Sequence, residues 1–584
     1  MNSAEASTPP DAPKAQKKQR GRPKKTSNPK GREASNPPAS IGPSQQQAGW
    51  AALNGSPSKI AKLSETKQIQ CPADPDEDPL FLIGRPPGKQ AIPLELLHAA
   101  FGHFLDVACG RQGEAGPLEE QFLVDLTGAA CQYFAEEIDR QTATKGLFEI
   151  YLGVLLPGLK VPEEPRTRGR HAMTDGSGCV NVKSQVVTQQ VWPFIHLEWK
   201  NELGEGGGDP LIETLAYQYM HVWSSAAEHL GLPCLLVELY GVEMKISGVF
   251  NVGHRLAAET LAGPFLLQDR RHRERELRDM LLSFRALRET VAMLRQGYLD
   301  GSNLALLATP LPYPLVAANG SFRGASKLTK EEQHFDPMQA RAAMFSAGVQ
   351  PAGGGPLLPA KLLYKGSHVD GTHEVVKFTQ RYGEELHLQL ASRGLAPELR
   401  SCTPLSGGWL MVRMQFLGDG WQTLEALLRE GPPEKIDLAT AAVSRALQQL
   451  FDLPSQTFVW GDARPPNIML SWEDGADVEP AVRFLDFDTA GVEGVAMYPN
   501  FLSRLIPWPR GASAGRHITQ QQDADLLAAC ACPSLPWDLR RKSEGDTGPL
   551  AHSSDVTSAQ GRPSALMQQL QHLHHPEEVA WVLS

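Results

Sequence analysis

The segment that most constrains this chain is Trp460-Gly-Asp-Ala-Arg-Pro-Pro-Asn-Ile-Met-Leu470, followed by Phe484-Leu-Asp-Phe-Asp488. It fixes an acid at Asp462, a cation at Arg464, a proline at Pro465, an amide at Asn467 and a second acid at Asp486. Five matched positions in two ordered blocks make a specific pattern. A chain of 584 residues has room for two or three domains of about 100–200 residues each. Its 41% hydrophobic, 21% charged and 7% aromatic content fits a globular protein and excludes fibrous or fully disordered classes. No uninterrupted apolar run reaches bilayer length, so no membrane partner is expected. The polar, basic start lacks the apolar stretch of a secretory signal. Eight cysteines without CxxC spacing argue against a disulfide framework or a zinc site and point to a nuclear or cytoplasmic setting.

The two blocks resemble the catalytic loop and metal-binding motif of protein kinases, with Arg464 where that family carries lysine. The resemblance implies a bilobal fold and an ATP- and Mg²⁺-dependent transfer to a hydroxyl. Asp462 would accept the hydroxyl proton, Arg464 would sit near the γ-phosphate, and Asn467 with Asp486 would hold Mg²⁺. Upstream, Glu374-Val-Val-Lys377-Phe has the form of an N-lobe strand whose lysine pairs with the α/β-phosphates. The short helix of Tyr382-Gly-Glu-Glu385-Leu-His-Leu-Gln-Leu390 offers Glu385, or less well Glu384, as partner of Lys377. Gly408-Trp-Leu-Met-Val-Arg-Met-Gln-Phe-Leu417 resembles the strand leading into the adenine-binding hinge, near Gln415 to Leu417. More narrowly, this region is similar to the small kinase domains of fungi and algae, some of them in Crinkler-type effectors. It departs from them in having Trp460 where relatives carry histidine. Asp488 replaces the glycine that ends the metal motif, Lys361–Gly371 is the sole candidate phosphate loop, and the C-lobe is short.

Organisation along the chain follows composition. Residues 1–78 are rich in Pro, Ser, Ala, Gln and Lys and read as a disordered basic tail. Residues 79–300 form a first globular domain: helical spacing over 118–152, a strand over Val191–Trp199, and a helix from Pro210 to Leu230. Strands follow at Cys234–Tyr240 and Lys245–Phe250, then a long amphipathic helix over 268–298. Residues 301–357 read as a linker, 358–530 as the kinase-like domain and 531–584 as a weakly ordered tail. The expected fold class is therefore multidomain α+β and α/β.

The first domain carries Asp175 and then Ile195-His-Leu-Glu198-Trp-Lys200. An acid on one strand and Glu-x-Lys on the next resemble the PD-(D/E)xK restriction-endonuclease arrangement. Alternation along the strand puts Glu198 and Lys200 on one face. That resemblance implies a metal shared by Asp175 and Glu198, a water handled by Lys200, a further acid from Glu149 and a supporting Gln218. Trp192 and Trp199 read as packing residues. The net charge is −10, yet residues 1–40 carry nine Lys/Arg against three Asp/Glu, as in a tail that seeks polyanions. Within it, Arg20-Gly21-Arg22-Pro23 resembles the AT-hook core, whose arginines enter a narrow A·T minor groove. A nuclear-localisation run has the same composition.

The expectation is an ATP- and Mg²⁺-dependent phosphotransferase of the Ser/Thr protein-kinase type, with protein as the acceptor and a small molecule left open. The alternatives are a metal-dependent DNase with a regulatory or inactive pseudokinase domain, and a non-enzymatic chromatin-binding adaptor. DNA is a partner through the tail and the nuclease-like region.

Overall fold

The apolar run Gln190–Lys200 forms strand β5, and its near-continuous burial is the mark of a strand covered on both faces. The computed structural model describes residues 57–531 apart from 63–69, 71–78, 85–91, 163–170, 183–189, 201–208, 225–226, 228–229, 254, 269–273, 305–310, 318–321, 328–361, 369–370, 419, 473–477, 501 and 504–505. Preceding β5 are β1 (Phe81–Leu82), a separate two-stranded ribbon of β2 (Lys160–Pro162) and β3 (His171–Met173), and β4 (Gly176–Val182). Following it are β6 (Cys234–Tyr240), β7 (Glu243–Asn251) and β8 (Leu256–Leu266). The sheet runs β1-β8-β7-β6-β5-β4. Pro193 lies beside a bulge at Phe194 of β5 itself and before the β5–β6 pairing begins at Ile195. Its missing N–H therefore costs no bond to β6.

Helices cover both faces of this sheet. They are α1 (Pro57–Ile60), α2 (Leu94–Leu97), α3 (Ala99–Ala108), α4 (Pro117–Ala130), α5 (Glu137–Leu152), α6 (Pro210–Ser224) and α7 (Glu274–Asp300). Alternation along β6 sends Leu235, Val237 and Leu239 to the face packed by Phe104, Phe122, Phe148 and Phe284. Cys234 and Leu236 go to the opposite face, under Leu215 and Tyr219 of α6 and Ile60 of α1. Helix α6 connects β5 to β6, which are parallel, as a crossover requires. Its first turn starts on Pro210, and the Asp209 carboxylate accepts from Leu211 N at 3.0 Å, a cap for a free amide.

The second part opens with α8 (Tyr313–Ala317), β9 (Phe322–Lys327), β10 (Leu362–His368), β11 (His373–Thr379), α9 (Glu384–Ser392), β12 (Leu399–Pro404) and β13 (Leu410–Gln415). Its five strands form an antiparallel sheet in the order β12-β13-β11-β10-β9. The chain then continues through β14 (Trp421–Thr423), α10 (Leu424–Glu430), α11 (Pro433–Phe451), β15 (Phe458–Val459), β16 (Ile468–Ser471), β17 (Ala481–Phe484), β18 (Gly491–Val492) and α12 (Gln520–Ala531). Helix α11 buries Ala439, Ala442, Val443, Ala446, Leu447 and Leu450, the three-and-four spacing of an amphipathic helix. The mixed α and β content agrees with the expected class.

The two parts share a core. Leu96 of α2 and Leu315 of α8 are buried with Tyr364, Val376 and Phe378 of the five-stranded sheet. Around that contact, Trp409 Nε1 donates to Glu95 Oε1 at 2.9 Å. Gly407 N donates to Asp106 Oδ1 at 3.0 Å, and Arg111 Nε holds the same carboxylate oxygen at 2.7 Å.

Two boundaries differ from those read in the sequence. The span 301–357, expected as linker, contains α8 and the edge strand β9, which pairs with β10. Phe-Arg-Gly-Ala-Ser-Lys has one large apolar residue, too few to show a period on its own. The tail expected to be disordered to residue 78 contains α1, buried against α6, and Gln70, which exchanges two hydrogen bonds with the Phe81 backbone. Arg20, Gly21, Arg22 and Pro23 lie outside the described residues, as does the expected 531–584 tail beyond Ala531. Trp192 and Trp199 are buried, and the Trp199 indole donates to Thr144 Oγ1 at 2.7 Å. No helix among the described residues is long and apolar enough to cross a membrane.

Gly102 tests the joint. A Cβ there would lie 2.7 Å from Ser406 Cβ and 2.9 Å from its carbonyl carbon, so backbone has to move. Alanine favours a helix over glycine by up to about 1 kcal/mol. Gly102→Ala is nevertheless expected to lower the melting temperature measured by scanning calorimetry, and a rise would show that the joint yields freely.

Candidate active site

Strand β11 is bonded on both sides, by β10 and β13, which fixes its register. Val376 and Phe378 point into the joint with the first part. Period-2 alternation therefore turns Lys377 to the opposite face of the sheet. Lys377 is 8% exposed. Its ammonium lies 2.6 Å from Asp486 Oδ1 and 2.6 Å from Asp488 Oδ1. Burial works against the charge, but the two carboxylates outweigh it and raise the Lys377 pKa above its ordinary value.

The loop carrying Asp486 is gripped from several sides. Leu485 N donates to Asn467 O at 2.9 Å, and Gly383 N, at the start of α9, donates to Phe487 O at 2.8 Å. The Trp460 indole donates to Leu485 O at 3.0 Å and to Asp486 O at 3.3 Å. Phe487 stacks on His387 with ring centres 4.5 Å apart. Asp486 itself has φ +61°, a left-handed conformation costing an L-residue about 1–2 kcal/mol. Such strain persists where the surroundings over-determine it.

Asp462 sits on the loop after β15. Arg464 holds both its oxygens, Nε to Oδ1 at 2.5 Å and Nη2 to Oδ2 at 2.7 Å, a bidentate fork suited to carboxylate geometry. Asn467 Nδ2 donates to Asp462 Oδ2 at 2.7 Å. Burial opposes the Arg464 charge, but the hydrogen bond and charge of Asp462, with Asp486 behind it, raise the Arg464 pKa. The loop hangs from Asp523 of α12, whose oxygens accept from Trp460 N at 2.6 Å and Gly461 N at 2.7 Å. Burial pushes the Asp523 carboxyl up to about 7, against the two N–H donors and with Asp462 and Glu493 adding repulsion. Gly461 has φ +81°, and a Cβ there would lie 2.8 Å from Thr489 Oγ1 and 2.9 Å from Ile518 Cδ1. Only glycine fits.

Lys377, Asp462, Arg464, Asn467 and Asp486 thus meet, linked by hydrogen bonds, ion pairs or charge. Glu385 does not join them, which corrects the expected pairing. Helix α9 buries Leu386, His387 and Leu390, so Glu384 and Glu385 face solvent. Glu385 Oε1 accepts from Gln456 instead, at 2.8 Å. In the sequence Asp488 stands out only as a replacement for glycine, and no spacing marks Asp523. An acid within the apolar stretch Ala524-Asp-Leu-Leu-Ala-Ala and its flank is a signal only when a buried acceptor is sought. The candidate hinge residues follow the end of β13 at Gln415.

The first part holds a second cluster, on the sheet face under α6. Lys200 Nζ is 2.6 Å from Glu198 Oε1, 3.5 Å from Glu137 and 3.7 Å from Glu213 of α6. Asp175 Oδ2 accepts from Trp199 N at 3.1 Å. Burial, then the charge of Asp175, raises the Glu198 pKa well above the usual carboxylate range, against Lys200. Burial likewise raises that of Asp175. Glu149 stays away, its Oε1 accepting from Leu156 N at 2.8 Å at the end of α5; Glu137, on the first turn of the same helix, and Glu213 take the place expected for it. Gln218 is buried and bonded to His196 at 3.0 Å. Among the described residues no set of three or more His, Cys, Asp or Glu side chains is arranged to hold a metal ion. The Lys200 ammonium is instead held against Glu198 Oε1.

No protein-family model matches the chain, and no curated protein matches it. Among solved structures, the Cydia pomonella granulovirus kinase PK-1 aligns at 13% identity over 29% of this chain and 62% of that chain, with a TM-score of 0.22. The match spans less than two thirds of the viral kinase. A likeness that slight assigns neither fold nor activity, so the chain's own side chains carry the case.

His387 supplies a pH test. Its Nε2–H donates to Pro397 O at 2.8 Å and its Nδ1 accepts from the Tyr382 hydroxyl at 2.6 Å. Burial lowers its pKa to about 4, with the Pro397 bond opposing and the Lys377 charge assisting. The folded state therefore prefers the neutral ring. Its stabilisation is complete above the ordinary value of 6.5 and is lost as pH falls toward 4. His387→Leu is expected to be less stable than the unaltered protein at pH 7, with the gap in urea midpoint narrowing by pH 4.5. A gap constant across that window would refute the assignment.

Proposed function

We propose that the second part of this chain is an ATP- and Mg²⁺-dependent phosphotransferase of the Ser/Thr protein-kinase type. The observation carrying the reading is that the Lys377–Asp486 pair and the Asp462–Arg464–Asn467 cluster lie on two loops joined by Leu485 N on Asn467 O and by the Trp460 indole on Asp486 O. The oxygen donors of Asp486 and Asn467 suit a hard cation that keeps much of its shell from water and phosphate. Bound Mg²⁺–ATP would supply the transferable phosphoryl group with its charge neutralised.

The residues then have distinct tasks. Asp462 accepts the proton of the incoming hydroxyl, a role worth about 10²–10⁴ in rate. Asn467 and Arg464 fix the direction of its oxygens, and Arg464 has to release one of them toward the phosphate for that proton to arrive. Lys377 offers its ammonium to phosphate oxygens from a strand too well paired to shift.

Transfer of label from γ-labelled ATP to a mixed protein substrate is expected to fall at least a hundredfold in Asp462→Asn, with the circular dichroism spectrum unchanged. Asp486→Ala is expected to abolish the Mg²⁺-dependent part of the thermal shift given by ATP. Equal transfer by Asp462→Asn and the unaltered protein would sink the reading.

A second reading is a metal-dependent DNase with the kinase-like region in a regulatory role. The observation favouring it is that Asp175, Glu198 and Lys200 lie together beside the β5–α6–β6 crossover. The Lys200 ion pair with Glu198 and the absence of Glu149 from the cluster weigh against it. Supercoiled plasmid with Mg²⁺ or Mn²⁺ decides: nicking lost in Lys200→Ala supports this reading, and no nicking at any metal concentration removes it.

A further inference from the structure

We propose that Asp488 is the positioning residue for Lys377, holding from the 486–488 loop the ammonium that α9 leaves unsupported; this rests on the phosphotransferase reading. A buried ammonium on a doubly paired strand needs a carboxylate, because breaking a buried ion pair costs about 3–5 kcal/mol. Glu384 and Glu385 are turned to solvent by the helical period that buries Leu386, His387 and Leu390. Two carboxylates do reach the Lys377 nitrogen, Asp486 and Asp488, each at 2.6 Å. They are not equivalent. Asp486 is the residue assigned to the cation, and a cation on that carboxylate would weaken its pairing with Lys377. Asp488 remains.

The backbone around Asp488 is built for this. Phe487 is stacked on His387, and its carbonyl accepts from Gly383 N at 2.8 Å and Ala490 N at 3.2 Å. Thr489 Oγ1 donates to Trp460 O at 3.2 Å. Asp488 is thus held between two anchored neighbours, the condition for a side chain to keep a productive geometry. Its side chain is 37% exposed against 15% for Asp486, so it approaches Lys377 from the open side. A glycine at this position would remove one of the two carboxylates that reach Lys377.

Steady-state kinetics with Mg²⁺–ATP test the assignment. Asp488→Asn is expected to raise KM for ATP about tenfold, or about 1.4 kcal/mol, with kcat within threefold. Asp488→Glu should recover most of the loss, and Glu385→Gln should change KM by less than threefold. In the Lys377→Met background, Asp488→Asn should add nothing, because its effect passes through that ammonium. Melting without nucleotide checks folding, and Asp488→Ser repeats the measurement if the Asn variant does not fold. Unchanged KM in Asp488→Asn, or an equal loss in Glu385→Gln, overturns the proposal while the phosphotransferase reading stands. An unaltered protein that neither binds nor consumes ATP overturns both.

Discussion

A cation buried on a strand that cannot move is the constraint around which the second part of this protein is arranged. Lys377 is bracketed by β10 and β13, which fixes its backbone, and its ammonium is buried on one face of the sheet. Leaving it unmatched would cost several kcal/mol, comparable to the whole stability of many domains. The loop bearing Asp486 and Asp488 has to come to it. Once that loop is seated, Phe487 stacks on His387 and Gly383 donates to its carbonyl. The sheet, α9 and the acidic loop therefore form one cooperative unit.

A second anchor fixes the other half of the site. Asp523 meets two successive main-chain amides, Trp460 and Gly461, that would otherwise be buried donors without acceptors, each worth about 1–3 kcal/mol. The turn it imposes requires a positive φ at Gly461 and room beside Thr489. Trp460 then spans the two halves, its amide on α12 and its indole on the carbonyls of Leu485 and Asp486. Tryptophan here has a structural explanation: it is a long rigid donor that ties the loop of Asp462 to the loop of Asp486. The positive φ of Asp486 is the local strain this tying sustains.

Part of this was legible in the sequence and part was not, for physical reasons. Asp462, Arg464, Asn467 and Asp486 stood out because their chemistry and spacing are carried by short loops, where local order nearly determines geometry. The strand at Val191–Trp199 was legible because burial on both faces leaves a continuous apolar run. Glu385 misled because the helical period that buries Leu386, His387 and Leu390 turns both adjacent acids to solvent, which their sequence position does not reveal. Asp523, and the part Asp488 plays, were hidden because their partners, the Trp460 and Gly461 amides and Lys377, lie far along the chain. Strand β9 was hidden because an edge strand takes its definition from its neighbour. Glu137 replaced Glu149 at the second cluster because the first turn of α5, not its last, lies beside Lys200, and Glu213 comes from the first turn of α6.

The joint between the two parts bears directly on the site. Along β11, Val376 and Phe378 are buried with Leu96, while Lys377 between them faces the acids. Because successive residues of a strand point oppositely, the two surfaces are locked in phase: a one-residue slip would bury the lysine in the joint and expose two apolar side chains. The first part therefore helps set the register that puts Lys377 where it is. It does so with apolar contact from α2 and with polar fasteners, Glu95 on Trp409 and Asp106 on Gly407, which orient the turn between β12 and β13. The chain around Lys377 is thus defined from both sides. One side is the chemistry it faces, and the other is a hydrophobic surface contributed by a part of the protein whose own polar cluster lies on another sheet.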